Sequence, residues 1–392
     1  MWLANGKSGN FAANRNLKEM EIVVNTRLLR KDRMDGIGWF TYNTMKHIVS
    51  AHPEVRFHFL FDSEIEEEFI FSDNVIPHKL FPPAKHAVLN IAWFEWSVKN
   101  ILNRIKPDLF LSPDGILCLG WPGKQYAVIH DINFHHNPND LKWSNRKYYN
   151  YYFPKFAERA CRIGTVSNFS KKDIVDTYGI DPAKIDVLYN GIQSFFKPVN
   201  EAVKSAVKFE YTNGDDYFLF VGTLHPRKNI VRLLDAFDRF KSETESGVKL
   251  VIAGHGMYKM DEIRAFHQSM KDPNSVIFTG RLKDSDLNNV LASALAFVFV
   301  PYFEGFGIPI IEAMQCEVPV ICSNVTSMPE VAGDAALLVD PYNVDAIKTA
   351  MIKIADDGQL RKTLIQKGKE RKKHFSWEKT SGLLWESLTK CL

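Results

Sequence analysis

Cysteine is scarce in this chain, long apolar runs are missing, and neither sign of charge prevails. The 392 residues include five cysteines, Cys118, Cys161, Cys316, Cys322 and Cys391, an odd number with no C-x-x-C pair. That excludes a zinc ribbon or a disulfide framework and predicts reduced thiols in a cytosolic setting. No window approaches the roughly 18 apolar residues that a membrane-crossing helix needs. Lys+Arg 49 against Asp+Glu 46 leaves a net charge of only +3, so no global field draws the protein to nucleic acid. There is no low-complexity tract, and Gly 22 and Pro 18 with 45% hydrophobic residues exclude collagenous and broadly disordered chains. Residues 1–19 lack the apolar stretch of a secretory signal and are expected to form a flexible extension.

What is present is an alternation of short apolar runs with longer amphipathic segments. Strands are predicted at 21–26, 57–62, 108–111, 126–130, 162–166 and 185–189, with helices at 37–50, 86–105, 143–160 and 168–178. After Lys197-Pro198 the alternation restarts, with strands at 217–222, 249–253, 275–279, 295–300, 318–322 and 335–339. Apolar strands interleaved with amphipathic helices imply parallel sheets covered on both faces. The expected fold class is α/β, with two doubly wound Rossmann-like domains, 20–196 and 197–375, facing a central cleft. A last amphipathic helix, 376–392, would cross back to the first domain and cover Trp377 and Trp385.

Ligands of such sheets bind beyond the carboxyl ends of the strands, so the residues after each strand carry the chemistry. The strand ending at Val300 is followed by Pro301-Tyr-Phe-Glu304-Gly305-Phe306-Gly307 and by a helix opening at Ile308-Pro309. Glycines let the backbone approach a ligand, and a helix N-terminus offers free N–H groups to an anion. Glu304 and Glu312 would flank that pocket and accept hydrogen bonds from sugar hydroxyls. Gly222-Thr223-Leu-His-Pro-Arg227-Lys228-Asn229 delivers a planar fork and a point charge after another strand, a pairing suited to two linked phosphates. His130 and Asp131 follow the strand at 126–130. Gly36-Ile-Gly38 opens a helix but lacks the third glycine of a dinucleotide fingerprint, while Gly254-His-Gly256 and Gly280-Arg281-Leu282 are further backbone-exposing turns. Taken singly, each segment has a bland explanation: a helix-start charge, a solvated basic turn, a structural histidine.

Together the segments are specific. VGTLHPRKN, EGFGIPIIEAM and VPVICSNVTSMPEVAGDAALLVDP, with IHDINFHHNP and TVSNFSKKDIVDTYGIDPAKIDVLYNGI in the first half, resemble the retaining, nucleotide-sugar-dependent glycosyltransferases of family 4, which have the GT-B fold. The resemblance covers roughly residues 20–390. It implies that Arg227 and Lys228 bind the donor diphosphate, Glu312 the ribose hydroxyls, and Glu304 with the Gly305–Gly307 backbone the transferred sugar. Gly38 would approach the diphosphate from the other domain, His130 would lie by the reacting carbon, and Gly280, Arg281 and Leu282 would meet the base. Asp35 stands where many members have another glycine, which implies a stiffer loop.

Fixed positive charge at a departing diphosphate stabilises the transition state without a metal, and no convincing metal cluster stands out, so neither metal nor cofactor is expected. The expected reaction is hexosyl transfer, with mannose from GDP-mannose as the leading donor, to a saccharide acceptor that is lipid-linked, in surface-polysaccharide or lipopolysaccharide assembly. Transfer from a UDP-sugar, a GT-B epimerase and a non-catalytic sugar-nucleotide-binding protein are the alternatives. The stretches 82–105 and 142–156 mix aromatics with Lys and Arg, as helices on a membrane surface do. A cytoplasmic protein touching the anionic inner leaflet through Trp93, Trp96, Lys99, Arg104, Trp143, Arg146, Lys147, Tyr151 and Lys155 is therefore expected; core helices with a basic solvent face explain the same residues.

Overall fold

Runs of Ile, Val, Leu and Phe form the strands of two parallel sheets in the computed structural model, which describes residues 20–31, 34–84, 87–256 and 260–392. The expected extension at 1–19 lies outside the described residues. The first sheet contains β1 (Glu21–Asn25), β2 (Arg56–Phe61), β3 (Val75–Lys79), β4 (Leu109–Ser112), β5 (Gln125–Val128), β6 (Arg162–Thr165) and β7 (Ile185–Val187), in the order β3-β2-β1-β4-β5-β6-β7. The second contains β8 (Tyr217–Val221), β9 (Lys249–Ala253), β10 (Val276–Gly280), β11 (Ala296–Phe299), β12 (Val320–Ser323) and β13 (Ala336–Val339), in the order β10-β9-β8-β11-β12-β13. Side chains on both faces of β4, β5, β11 and β12 are buried, as parallel sheets sandwiched by helices require. In each sheet the strand order reverses once, between β1 and β4 and between β8 and β11, where a crevice opens.

Two local features depart from the expected pattern. β3 was not expected: three of its five residues are exposed and Pro77 interrupts it, so no apolar alternation marks it, and only its place at the sheet edge tolerates the proline. The single helix expected at 86–105 is broken into Ala87–Ala92, a π-helical turn Trp93–Val98, and Lys99–Ile105. The extra residue per turn shifts which side chains face inward. Trp93 is fully buried in the core while Trp96 is 61% exposed, so the expected membrane contact of Trp93 is corrected.

The helix Trp377–Thr389 returns to the first domain and packs against the Gly36–Ala51 helix and β6. Tyr126 and Ser387 share a buried hydrogen bond of 2.8 Å, and Trp385 stacks on His52 at 3.8 Å. This return places Cys391 beside Cys161, which precedes β6, and the two form a disulfide with a Cα separation of 6.0 Å. The expectation of wholly reduced thiols is thereby corrected: the partners are 230 positions apart, and no local spacing announces them. Cys118, Cys316 and Cys322 are free and buried. No helix among the described residues is long and apolar enough to cross a membrane.

Candidate functional site

The carboxyl edges of the two sheets face each other, and the basic turn after β8 lies between them. Residues Pro226–Lys228 form a 3-10 turn held at both ends. His225 accepts from the Arg227 N–H, and Asn229, in the left-handed region at φ 64°, donates to the carbonyls of Val300 and Pro341 at 3.0 and 2.7 Å. Both cations are thus fixed at the β8–β11 crevice. Lys228 Nζ sits 2.6 Å from Glu304 Oε2 and 4.8 Å from the centre of the Phe299 ring. Burial depresses the Lys228 ammonium against the pull of Glu304. Arg227 Nη1 lies 3.5 Å from the same Glu304 oxygen and 3.0 Å from Asp131 Oδ2 of the opposite domain. Burial opposes the Arg227 charge, but Glu304 and Asp131 outweigh it and raise its pKa.

The facing wall is the segment after β5. Burial works against ionised Asp131, yet Arg227 and the Asn133 N–H hold its carboxyl below the usual range. His130 Nε2 meets the Pro113 carbonyl at 2.9 Å, and burial lowers the pKa of its ring against the pull of that carbonyl and of Asp131. Gly305 packs so tightly under His130 that a Cβ would come within 2.4 Å of the His130 carbonyl oxygen, which explains the glycine. Its own carbonyl accepts from Ser167 Oγ and Ser170 Oγ at 2.7 and 3.2 Å. Glu330 reaches across to the backbone N–H groups of Asn168 and Phe169, capping the Asn168–Tyr178 helix, and Tyr302 donates to Asp140 at 2.7 Å. The result is a junction between the domains in which Asp131, Arg227, Lys228 and Glu304 converge, with His130 next to Asp131 in the chain.

Comparison with known proteins agrees with this architecture. The family described as "Glycosyltransferase Family 4" matches residues 34–194, and "Glycosyl transferases group 1" matches 204–371. The chain belongs to family 4 of the glycosyltransferases. The O-antigen chain mannosyltransferase B of Escherichia coli is 34% identical over 253 residues, covering 64% of this chain and 66% of that protein. The serotype-specific mannosyltransferase WbdA of Escherichia coli is 27% identical over 281 residues, covering 69% of this chain and 34% of that protein. The glycosyltransferase chain thus spans about two thirds of the first relative's length and one third of the second's. Two crystal structures share the GT-B fold: Anabaena HepE in complex with UDP and glucose, with TM-score 0.73, 17% identity and coverage of 94% of this chain and 99% of that one, and WaaG, a glycosyltransferase involved in lipopolysaccharide biosynthesis, with TM-score 0.72, 15% identity and coverage of 92% and 97%.

The other expected donor residues of this glycosyltransferase line the same edges. Gly222 and Gly254 abut: a Cβ on Gly254 would lie 1.9 Å from the Gly222 carbonyl oxygen, so their first need for glycine is close packing of strand ends. Thr223 is half-buried, and its neighbour Leu224 pairs with Gly256 in an isolated bridge. Gly280 has open space around it at φ 70°, Leu282 is partly buried, and Arg281 crosses to the Met34 carbonyl at 3.2 Å. Gly307, at φ 95°, precedes the Ile308–Gln315 helix, while Phe306 is buried against Tyr189 and Phe375, so only its backbone is available to a ligand. Glu312 is half-buried in that helix, and burial, with the charge of Asp284, pushes its carboxyl up to about 8.

Asp35 proves to be the N-cap of the Gly36–Ala51 helix, accepting from Ile37 and Gly38 N–H at 3.1 and 3.0 Å. The Gly38 N–H expected to meet the diphosphate therefore already has an internal acceptor; Gly36 is exposed beside it. The sequence reading named Asp131 beside His130 and Asn229 after the basic turn without giving either a role, although a left-handed residue suits Asn. Ser167 and Glu330 escaped it, since nothing local marks them as residues that join the domains.

Proposed function

We propose that the protein transfers a hexose from a nucleotide sugar to a saccharide acceptor, with retention at the anomeric carbon. The observation that carries this reading is the Arg227–Lys228 turn, fixed against Glu304 and bound across the domains by Asp131. In the reaction the bond between the anomeric carbon and the β-phosphate oxygen breaks, its electron pair going to the diphosphate. The acceptor oxygen bonds to that carbon, and its proton ends on the diphosphate. Arg227, Lys228 and the start of the Ile308–Gln315 helix would stabilise the growing negative charge more than the ground state. Because these groups supply the positive charge, turnover should persist in EDTA. Mannose from GDP-mannose is the proposed donor, supported by the relatives named O-antigen mannosyltransferases. Assay of GDP-mannose and UDP-glucose with saccharide acceptors, with and without EDTA, tests this. Release of nucleotide without a glycosylated product, or dependence on added magnesium, would contradict it.

The acceptor we propose is lipid-linked and met at the anionic inner face of a membrane. The Trp143–Arg159 helix carries Trp143, Lys147, Tyr151 and Lys155 at four-residue spacing, with Lys147 Nζ 4.1 Å and Lys155 Nζ 3.5 Å from the neighbouring ring centres. It packs against the Ala87–Ala92 helix, whose continuation exposes Trp96. Aromatic rings favour the interface, and each nearby cation adds about 1 kcal/mol of attraction to an anionic surface. The protein should co-sediment with anionic vesicles at low salt, less at high salt, and less after Lys147→Ser with Lys155→Ser. Equal recovery with neutral vesicles would remove the membrane from the account.

A further inference from the structure

Two helices, one from each domain, grip the loop that carries Glu304. On the second-domain side stands the short helix Met328–Ala332. Its cap, Ser327 Oγ, donates to the Glu304 carbonyl at 2.8 Å, and Met328 fills the space under Gly307, where a Cβ would come within 2.6 Å of Met328 Cε. On the first-domain side stands the start of the Asn168–Tyr178 helix. Its cap, Ser167 Oγ, donates to the Gly305 carbonyl at 2.7 Å, and Ser170 Oγ lies 3.0 Å from the His130 carbonyl and 3.2 Å from that of Gly305. The loop backbone is thus held from both domains.

Glu330 joins the two helices. Its Oε1 accepts from the Asn168 N–H at 2.7 Å, Asn168 Nδ2 at 2.9 Å and the Tyr189 hydroxyl at 2.8 Å, while Oε2 accepts from the Phe169 N–H at 3.0 Å. Every one of these donors belongs to the first domain. Burial, with Glu330 beside it, pushes the Tyr189 hydroxyl up to about 12, so it stays a donor. On its own side the residue is fixed through the main chain: Arg371 donates to the carbonyls of Glu330 and Val331. The first N–H groups of a helix have no partner within it, so an acceptor brought from the other domain is a strong tie.

We propose that Glu330 is a positioning residue for the transfer: by holding the start of the Asn168–Tyr178 helix it sets Ser167 and Ser170 against the donor loop and fixes Gly305 under the His130 carbonyl. This rests on the glycosyl-transfer reading above, in which the Gly305–Gly307 backbone meets the transferred sugar. The basic turn has a separate anchorage, since Asn229 ties it to the carbonyls of Val300 and Pro341 inside the second domain. Glu330 therefore acts on turnover and leaves the diphosphate clamp in place. A misplacement of about 1 Å can lower a rate by roughly 100-fold even when the substituted residue touches no reacting atom.

The test compares the full chain with Glu330→Ala, Glu330→Gln, Ser170→Ala and the double variant Glu330→Gln with Ser170→Ala. Release of GDP from GDP-mannose and of UDP from UDP-glucose, to water and to methyl α-mannoside, is measured beside GDP and UDP binding, melting and backbone hydrogen exchange. Glu330→Ala should lower kcat by about 100-fold and speed exchange in residues 303–308, while nucleotide affinity stays within about twofold of the parent's. Glu330→Gln keeps one acceptor oxygen but turns an N–H towards that of Phe169, so it should recover part of the loss, and Ser170→Ala should lower kcat by about tenfold. Because both residues act through one linkage, the double variant should lose about as much as the larger single loss, well short of the product. An unchanged kcat in Glu330→Ala or Ser170→Ala, losses that multiply, or unchanged exchange in 303–308 overturns the positioning role. So does a fall of nucleotide affinity and melting in step with kcat, which would make Glu330 a strut between the domains. A parent chain that releases neither nucleotide overturns the glycosyl-transfer reading itself, and this role with it.

Discussion

At the β8–β11 crevice a lysine meets a carboxylate at 2.6 Å, and at the β1–β4 crevice an arginine meets a carboxylate at the same distance. The strand topology is the same, and in both the cation follows the first strand and the carboxylate the fourth. The difference lies in what surrounds the pair. Beside Lys228 and Glu304 stands a second cation, Arg227, whose other partner, Asp131, belongs to the opposite domain. Beside Arg27 and Asp114 stand Asn25, Ser112, Asn90, Phe94 and Tyr149, which add hydrogen-bonding groups and rings but no net charge. One crevice carries a surplus cation shared between the domains. The other is a balanced, internally satisfied network that ties β1 to β4.

The largest expected effect tests the charged crevice. Arg227→Ala and Lys228→Ala should each lower kcat by about 100-fold or more at saturating donor, roughly 3 kcal/mol of transition-state stabilisation. Arg27→Gln, which breaks a buried ion pair, should instead show its effect mainly as a lower melting temperature, by about 3 kcal/mol of stability; an equal loss of kcat with unchanged melting would erase the distinction between the crevices. A smaller effect, up to about tenfold per pH unit, concerns Glu312. Its carboxyl, at about 8, is protonated below that pH in the free chain. If ribose hydroxyls donate to the carboxylate, binding selects the ionised form. GDP affinity should then rise as pH climbs towards about 8 and level off above it, and Glu312→Gln should flatten this component. The same slope in parent and variant would remove Glu312 from the site.

Asp131→Asn releases Arg227 from a competing carboxylate, so nucleoside diphosphate affinity should improve by about fivefold, the scale of a part-exposed ion pair. Weaker binding instead would show that Asp131 positions Arg227 rather than competing for it. The smallest functional effect belongs to the disulfide. Opening Cys161–Cys391 frees the returning helix from the first domain, so reduction should lower that domain's melting transition, by roughly 2–4 kcal/mol of stability, with little change in turnover. A matching shift in the second domain would show that the two units unfold together, which differential scanning calorimetry resolves.

The repeated strand-turn-helix rhythm was legible because each unit is written in consecutive residues. The run at 249–253 coincides with β9, and the helix expected at 168–178 with Asn168–Tyr178. β3 was not legible, since its edge position removes the burial that produces an apolar pattern. The clamp was legible for the same reason as the strands: Arg227, Lys228 and Asn229 are adjacent, directly after β8, in a turn that needs no distant partner to be noticed. The Arg27–Asp114 pair joins residues 87 positions apart, and the Arg227–Asp131 bond joins residues 96 apart.

By itself the sequence determined the secondary-structure alternation, the doubling into two sheets and the basic turn that follows β8, because propensity, apolar period and turn chemistry act over a few neighbouring residues. Only the tertiary structure decided which carboxylate faces which cation, which of Trp93 and Trp96 meets solvent, and which cysteines meet. Those outcomes depend on the order of strands, on one π-helical turn and on the return of the last helix, and each arises from burying surfaces contributed by distant parts of the chain.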